Sequence, residues 1–410
     1  MSGPERIAST CCIAGGGPAG MMLGFLLARA GVDVLVMEKH RDFLRDFRGD
    51  TIHPSTLELI HELGLLPELL ALPHQKLQTI QAVFGQSALT LADFSHLPTQ
   101  CGYIAFMPQW DFLDFLARHA GAYPAFSLRM ECEVTDLIAS GGRIAGVRAR
   151  TPTGDLEVRA DITIAADGRT SILRERSGLR VRDFGAPMDV LWFRLERGPG
   201  KPDQPLGRFG SGFILIAIDR GDYWQCGYVI PKGAHDRIRS EGFDTFRKRI
   251  ARNAPVLADA LRKLSGWDDV KLLTVQVNRL DEWCRPGLLC IGDAAHAMSP
   301  VAGVGINLAV QDAVAAANAL AGPLKDGSVD METLRSVERR RKWPVELTQR
   351  LQLMIQNRVI SDVLTETDEA EPPLVMRIID ALPWLRRLPG RLIGLGVRPE
   401  HIQTPDPGKG

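Results

Sequence analysis

The sequence lacks an excess of charge of either sign. Its 49 lysine and arginine residues equal its 49 aspartate and glutamate residues in number. A chain in this balance has no global field that would attract nucleic acid or an anionic membrane surface. We therefore expect no nucleic-acid partner, and any recognition of a charged ligand has to come from local groups.

Paired cysteines and metal-ligand spacings are also missing. The seven cysteines are odd in number, and none of them forms a CxxC pair. Reduced thiols buried in the core explain this pattern better than a disulfide framework or a zinc site. We expect no metal.

Long apolar runs are absent too. No stretch of the sequence reaches the roughly 18 uninterrupted apolar residues that a membrane-spanning helix requires. The first residues show none of the charged, apolar and small-residue segments of a secretory signal. The sequence therefore predicts no membrane span and a cytoplasmic location. Its 410 residues, 45% of them hydrophobic, suffice for a substantial core.

The clearest motif that is present lies close to the N-terminus. Apolar runs at residues 7–14 and 32–37 predict two buried strands. The glycine cluster that follows the first strand has the G-x-G-x-x-G spacing and consists of Gly15, Gly17, Pro18, Ala19 and Gly20. Because the cluster opens a helix, its backbone N–H groups can approach a pyrophosphate. Glu38 ends the second strand, where a carboxylate accepts hydrogen bonds from ribose hydroxyls. This βαβ unit predicts a dinucleotide, either FAD or NAD.

A second motif favours FAD. The apolar run at residues 288–291 ends in Gly292 and Asp293, and a carboxylate at this point can accept hydrogen bonds from the hydroxyls of a ribityl chain. A glycine-rich segment then leads into an alanine-rich helix at residues 308–320, so free N–H groups and the positive helix end can face the edge of a reduced flavin. The members of that segment that we predict to bind the cofactor are Gly303, Gly305, Ile306 and Asn307. The simpler alternative is a glycine turn in which Asp293 only caps a helix.

Asp167 and Gly168 form a third element, which again follows a predicted strand, at residues 162–166. With it, the chain resembles the para-hydroxybenzoate hydroxylase-like flavin monooxygenases, also called group A aromatic hydroxylases. That family carries a G-x-G-x-x-G cluster, a middle Asp-Gly and a late Gly-Asp in this order. The resemblance spans about residues 7–320, and the C-terminal portion matches only in general character.

The resemblance implies further cofactor contacts. Lys39 stands where the family usually has a basic or polar residue near the adenosine, and Val134 lies on the strand whose backbone usually meets adenine. Arg48 and Gln109 resemble an arginine and a glutamine that contact the cofactor. A surface arginine and a helix cap are the alternative roles of these two residues. The segment 305–307 matches the one whose backbone amides bind the flavin pyrimidine edge.

The strand patterns and the resemblance together predict an α/β architecture. Its main part is a Rossmann-like FAD-binding fold of the GR2/PHBH type, with an inserted antiparallel β-sheet substrate domain and a helical C-terminal portion. We predict that residues 1–180 and 281–330 form the discontinuous FAD-binding domain. Residues 181–280 are predicted to form the substrate-binding sheet, and residues 331–410 the helical segment.

Two local predictions refine this outline. The segment 55–58, Ser-Thr-Leu-Glu, has the form of a capping box that opens an amphipathic helix. The apolar stretch from Leu272 to Leu280 is predicted to be one long strand of the substrate-binding sheet.

The resemblance also implies a reaction. NADH or NADPH reduces FAD, O2 adds at flavin C4a, and the resulting hydroperoxide transfers oxygen to an electron-rich aromatic or phenolic small molecule. The sequence contains no second G-x-G-x-x-G followed by an acidic strand end, which agrees with a nicotinamide cofactor that binds transiently beside the flavin. The flavin carries the chemistry, so no catalytic side chain is singled out. We expect a monomer or a homodimer.

Candidate substrate contacts lie on the antiparallel strands and beside the late motif. Because side chains alternate between the two faces of a strand, only about half of them can face one ligand. The aliphatic and aromatic content of these strands favours a mostly apolar, planar ligand, with an arginine as partner for a phenolate or carboxylate. His53 and His296 are expected to be structural. The candidates are Trp192, Arg194, Phe213, Tyr223, Tyr228 and Pro300.

Other functions of the same cofactor fold stay open at this point. A flavin-dependent halogenase typically has a Trp-x-Trp-x-Ile-Pro segment, which residues 191–195 do not provide. A reductase of the geranylgeranyl reductase type would reduce a C=C bond without O2. A flavin-binding protein without enzymatic activity is the third alternative.

Overall fold

The computed structural model describes residues 4–44, 51–85, 87–197, 206–210, 212–360, 363–364 and 371–406. The strands of these residues are β1 (Glu5–Ala14), β2 (Val34–Met37), β3 (Thr51–Ile52), β4 (Gln75–Leu77), β5 (Thr79–Phe84), β6 (Ser87–Asp93), β7 (Ile104–Phe106), β8 (Phe126–Arg129), β9 (Glu133–Ser140), β10 (Arg143–Thr151), β11 (Gly154–Ala165), β12 (Val181–Asp183), β13 (Met188–Glu196), β14 (Leu206–Gly210), β15 (Phe213–Asp219), β16 (Tyr223–Pro231), β17 (Lys271–Leu273), β18 (Asn278–Leu280), β19 (Cys284–Arg285), β20 (Leu288–Cys290) and β21 (His296–Ala297).

The α-helices of the same residues are α1 (Pro18–Arg29), α2 (Pro54–Glu62), α3 (Leu66–Leu70), α4 (Gln109–Ala120), α5 (Ile172–Ser177), α6 (His235–Ser240), α7 (Phe243–Asn253), α8 (Ala258–Arg262), α9 (Gly305–Lys325), α10 (Met331–Ile355), α11 (Leu374–Ala381) and α12 (Arg387–Gly394). The predicted α/β fold with a helical C-terminal part is confirmed.

The first large sheet has eight strands, and its central path runs β19-β20-β11-β1-β2-β8. The pairs β1–β11, β1–β2, β2–β8 and β11–β20 are parallel. The carboxyl ends of β1, β2 and β11 therefore lie at one edge of the sheet, although they come from distant parts of the chain. This edge is where the three predicted motifs begin.

Helices α1 and α9 cover this sheet. The central residues of α1 are buried on all sides because the helix packs against the sheet, α4 and α9. The stretch Val301–Lys325 is long and apolar enough to cross a membrane, but most of it is buried inside the protein. It serves as the central helix of the main core.

The second large sheet has seven strands in the order β17-β13-β16-β15-β14-β5-β6. All of its pairs are antiparallel except β14–β5. One face carries apolar residues that pack against α6, α7 and α8, and the other face carries a separate apolar cluster. Both faces of this sheet therefore carry buried apolar side chains.

Two sequence-based expectations differ from the structure in detail. The predicted strand from Leu272 to Leu280 is two strands, β17 and β18, which lie in different sheets. The predicted capping box is wrong: α2 begins at Pro54 with His53 as its N-cap and has no side-chain cap, because the proline, whose fixed φ suits the first helical position, starts the helix one residue before Ser55. Strands β5 and β6 join the second sheet although they precede residue 180, and the division of the chain at residues 180 and 281 stays a prediction.

Candidate cofactor and substrate site

A cavity of about 2350 Å³ lies between the carboxyl edge of the first sheet and one face of the second. Pockets for single small ligands have roughly 300–1,000 Å³. The cavity is therefore large enough for a dinucleotide and a second ligand together. All three predicted motifs contribute to its lining.

The glycine cluster forms the turn between β1 and α1. Gly15 has a φ of +106°, and a Cβ on it would lie 2.3 Å from the carbonyl oxygen of Ala166. A Cβ on Gly20 would lie 1.9 Å from the carbonyl oxygen of Gly15. At Gly17, which lines the cavity, a Cβ meets nothing within 4 Å. The turn therefore needs two glycines for its own packing and leaves a backbone cradle, open to the cavity, at the third.

Glu38 is fixed beside this turn. Its carboxylate accepts hydrogen bonds from the backbone N–H of Gly16 at 2.9 Å and of His40 at 3.1 Å. These bonds hold the carboxylate at the end of β2, on the cavity wall.

Asp167 follows β11 and Asp293 follows β20, and both line the cavity. The hydroxyl of Ser171 and the backbone N–H of Leu173 donate to Asp167. Burial raises the pKa of Asp167, and these bonds only partly oppose it. Arg169 donates from Nε to Oδ2 of Asp293 at 3.1 Å. Sequence reasoning missed Arg169, although it stands directly after the Asp-Gly pair.

The segment before α9 forms a second backbone cradle. Gly303 has a φ of +63°, and its carbonyl accepts a hydrogen bond from the hydroxyl of Thr51 at 2.9 Å. Gly303, Gly305 and Ile306 line the cavity, and a Cβ on Gly305 meets nothing within 4 Å. The free N–H groups at the start of α9 lie on this side, as an anionic ligand edge requires.

Asn307 has a supporting position. Its side-chain oxygen accepts from the backbone N–H of His53 at 2.9 Å and from the hydroxyl of Thr56 at 2.7 Å. The Nδ1 atom of His53 donates to the carbonyl of Ile393 at 2.8 Å. Burial lowers the pKa of His53 to about 4, so its imidazole is neutral at pH 7. The Asn307 side chain fastens α2 to the cofactor segment, and the His53 side chain fastens α2 to α12.

A buried charge network lies behind the Gly292–Asp293 turn. Asp312 accepts from the backbone N–H of Gly292 at 3.0 Å, from Nε2 of His296 at 2.5 Å and from Nε of Arg341 at 3.0 Å. Arg341 also donates to Glu400 at 3.2 Å. Burial would raise the pKa of Asp312, but the charges of His296 and Arg341 and their hydrogen bonds outweigh it and hold the pKa below its ordinary value.

Two glutamines of α10, and Gln356 directly after its end, hold the segment that leads to Pro300. Gln352 accepts from the backbone N–H of Ser299 and donates to the carbonyls of Ser299 and Val301. Gln349 donates to the carbonyl of Ala297 at 3.1 Å, and Gln356 to the hydroxyl of Ser299 at 2.7 Å. Their spacing of three and four residues places them on one helix face. This spacing, and an aspartate inside an alanine-rich helix, were the signals that could have revealed both networks.

Of the remaining cofactor candidates, all but Arg48 line the cavity. Lys39, Gln109 and Val134 line the cavity, as do Pro18 and Ala19. Arg48 lies outside the described residues.

The second sheet divides the substrate candidates between its faces. Trp192 lines the cavity, and so does Pro300. Phe213 and Tyr228 point to the opposite face, where the ring of Tyr228 packs edge-on against Phe246 with centroids 5.6 Å apart. The structure does not bring these two residues to the cavity, because strand alternation sends them to the other side.

Arg194 and Tyr223 lie near the far end of their strands. The guanidinium of Arg194 stacks on the ring of Tyr223 at 3.7 Å from the centroid and pairs with the exposed Asp222 at 3.4 Å. Neither residue lines the cavity. The predicted arginine partner for a substrate anion is therefore engaged at the surface instead.

The cavity wall contributed by the second sheet is apolar. Its members come from β13, β14, β15 and β16, and they include Met188, Val190, Trp192, Phe209, Ile214, Ile216 and Val229. Gly227 lies under the ring of Trp192, and a Cβ on Gly227 would lie 3.2 Å from that ring. The absence of a side chain there lets the indole lie flat along the sheet.

Comparison with known proteins agrees with this geometry. The family described as "FAD binding domain" matches residues 8–350. The chain is 32% identical to a 6-methylpretetramide 4-monooxygenase of Streptomyces rimosus, over 85% of this chain and 84% of that protein. It is 27% identical to a digeranylgeranylglycerophospholipid reductase of Methanothermobacter thermautotrophicus, over 87% and 88% of the two chains. Of four further curated relatives, the chain spans only 55% to 64%.

A solved structure shows the same fold. PqsL of Pseudomonas aeruginosa, crystallised with 2-aminobenzoylacetate, superimposes with a TM-score of 0.75 at 20% identity, over 88% of this chain and 98% of that one. The two open glycine cradles and the fixed carboxylates Glu38 and Asp293 fit the parts of FAD that the three motifs predict. The chain belongs to the FAD binding domain family and, within it, to the FAD-dependent monooxygenases.

Proposed function

We propose that this enzyme uses NADH or NADPH and O2 to hydroxylate a large, mostly apolar aromatic or phenolic small molecule. The observation that supports this most is the continuity of the cavity. Its lining runs without interruption from the cofactor motifs to the apolar face of the second sheet. A planar apolar substrate on that face would lie beside the flavin end of the cofactor.

The cofactor, when bound, supplies electron transfer and oxygen activation, and the chain supplies position. We propose that Gly15–Gly20 hold the pyrophosphate and Glu38 the ribose of the adenosine, with Lys39, Val134 and Gln109 along the same wall. Asp293, oriented by Arg169, would hold the ribityl hydroxyls. Backbone N–H groups of residues 303–307 would face the flavin ring.

The apolar wall of the second sheet has two roles in this proposal. It takes up the rings of the substrate, and it excludes water from the reacting centre, which protects oxygen-transfer chemistry from wasteful side reactions. The relative that acts on 6-methylpretetramide supports a substrate of considerable size. We place the protein in the cytoplasm.

The reductase remains the second candidate because one relative carries that name. The requirement for O2 distinguishes the monooxygenase from the reductase. We expect aromatic candidates such as polyketide phenols and quinolones to accelerate NADH or NADPH oxidation by the FAD-loaded protein. Under air the product should gain one oxygen atom, read by mass spectrometry, with O2 uptake in equal amount.

An Asp293→Ala variant should lose most of its bound flavin and this activity. The matched control Asp222→Ala changes an exposed carboxylate away from the cavity and should retain both. Product formation under strict anaerobiosis would reject the monooxygenase reaction in favour of the reductase.

A further inference from the structure

Helices α11 and α12 lie across β6, the edge strand of the second sheet. Their inner side is fixed by polar contacts. Asp380 accepts from the backbone N–H of Thr90 at 2.8 Å, and the backbone N–H of Asp93 donates to the carbonyl of Arg386 at 3.2 Å. A Cβ on Gly390 would lie 2.0 Å from the carbonyl oxygen of Asp93. The two helices therefore present one fixed side to the sheet and the other to solvent.

The outer side of these helices is apolar. Leu374 is 70% exposed, Leu388 62% and Trp384 60%. We call the exposed apolar residues of this segment the C-terminal patch: Leu374, Val375, Ile378, Leu382, Trp384, Leu388 and Leu392. Large clustered apolar surfaces of this kind mark sites of interaction on a folded protein.

Arginines border the C-terminal patch. Residues 374–398 contain five arginines and a single acidic residue, Asp380, which pairs with Arg386. The other four, Arg377, Arg387, Arg391 and Arg398, are exposed; Arg387 interacts electrostatically with Asp93, and the remaining three form no salt bridge within the described residues. On α12 the arginines at 387 and 391 run beside the leucines at 388 and 392, and each pair is one turn apart. This segment is strongly basic in a chain whose overall charge is zero.

We propose that the C-terminal patch binds the surface of an anionic phospholipid membrane. A helix with leucine and tryptophan on one side and arginine along its border lies in the membrane interface, with its apolar residues in the acyl boundary and its cations at the headgroups. A second copy of the chain fits less well. A symmetric dimer would place the patch against itself and bring the two sets of arginines together.

The C-terminal patch adjoins the cavity. Leu374 and Val375 belong to both, and the neighbouring Met376 and Ile379 also line the cavity. A membrane at this position would therefore face the side of the protein from which these residues reach the cavity. Apolar molecules dissolved in the bilayer could then approach the cavity without crossing water. The proposal of membrane binding itself does not depend on which reaction the enzyme catalyses.

Vesicle sedimentation of the full-length, FAD-loaded protein tests the proposal. Vesicles of phosphatidylcholine alone are compared with vesicles that also contain phosphatidylglycerol. Because the chain has seven tryptophans, insertion is read from the change in tryptophan fluorescence that Trp384→Phe abolishes. We expect binding to the anionic vesicles, weakened by salt. Each arginine near an anionic surface contributes about a fivefold change in affinity, so Arg387→Gln/Arg391→Gln should bind about 25-fold more weakly. Leu388→Ser/Leu392→Ser should lose at least about tenfold.

Two control variants make comparable substitutions outside the C-terminal patch. Trp343→Ser removes a 55% exposed tryptophan of α10, and Arg262→Gln removes an exposed arginine of α8. Both should bind anionic vesicles like the unaltered protein, and the flavin spectrum confirms that every variant is folded.

Three results would overturn the proposal. The first is no sedimentation with anionic vesicles, and the second is equal loss of binding in patch and control variants. The third is a dimer in sedimentation velocity that the leucine variant dissociates, because the patch would then be covered by a second copy. NADH or NADPH oxidation measured without vesicles is a separate readout, so failure of membrane binding is distinguishable from failure of the proposed reaction.

Discussion

The two large sheets contribute to the same cavity in different ways. The first sheet presents the ends of its parallel strands, where turns expose backbone N–H groups and carboxylates such as Glu38 and Asp293. The second sheet presents a face, where every other residue of an antiparallel strand contributes an apolar side chain. One region recognises polar groups by fixed backbone geometry, and the other accepts apolar surface by shape.

This difference predicts unequal tolerance to substitution. A turn built on close backbone approach has no room for adjustment, whereas an apolar wall can repack around a changed side chain. The rigid turn of the first sheet therefore fixes which polar group can bind there. On the second sheet, a single substitution can change which apolar ligand fits.

The largest effect is expected at Gly20. A Cβ would lie 1.9 Å from the carbonyl oxygen of Gly15, so Gly20→Ala should displace the turn and yield protein without bound FAD, measured as the ratio of flavin to protein absorbance. Gly17→Ala is the sharper comparison because its Cβ projects into open cavity. It should leave the thermal midpoint of the FAD-free protein unchanged and weaken FAD binding by at least about tenfold, about 1.4 kcal/mol. Equal flavin content in both variants would contradict the assigned cradle.

A substantial loss of stability is expected for Asp312→Asn. Neutralising one member of a buried ion network costs about 3–5 kcal/mol, and the turn at Gly292 loses its anionic acceptor. Because the pKa of Asp312 lies below its ordinary value, its contribution is fully present at pH 7 and is lost only as the pH falls through that lowered pKa. Urea unfolding at pH 7 measures the change.

The exposed Asp259 of α8 is the matched control for this prediction, and Asp259→Asn should change the free energy of unfolding by less than about 0.5 kcal/mol. If both variants lost the same amount, the buried network would not support the cofactor turn as described.

The smallest effect is expected on the second sheet. Trp192→Ala removes an aromatic side chain from the cavity wall and should raise the KM for the aromatic substrate about tenfold, about 1.4 kcal/mol, with little change in flavin content. Tyr228→Phe alters the opposite face and should leave KM unchanged. A larger KM change for Tyr228→Phe would mean that the two faces are assigned the wrong way round.

The sequence was informative where a function depends on neighbouring residues. The glycine cluster and Glu38 belong to one βαβ unit, so the cradle could be predicted from spacing and elementary strand geometry. The pattern of residues 272–280 does not reveal that this segment divides into two strands, because the two parts pair with different sheets. The start of α2 differs from the predicted one because the proline at position 54 overrides the local pattern.

Features that depend on distant contacts could not be predicted in the same way. Arg169 and Asp293 are 124 positions apart, and Arg341 and Asp312 meet only because α9 packs on α10. Residue type alone suggests Phe213 and Tyr228 as substrate contacts, whereas strand register decides which face they occupy. The register of β15 against β16, which pairs Leu215 with Tyr228, supplies that information, and composition does not.

The order of strands in the first sheet also constrains synthesis of the protein. β20 pairs with β11, which pairs with β1, and the segment 303–307 follows still later in the chain. At roughly 5–20 residues per second on a ribosome, the interval between the completion of β1 and of that segment is about 15 to 60 seconds. During that time the glycine cradle exists without its partners. The cavity edge that carries all three motifs is therefore complete only after residues 303–307 have been synthesised.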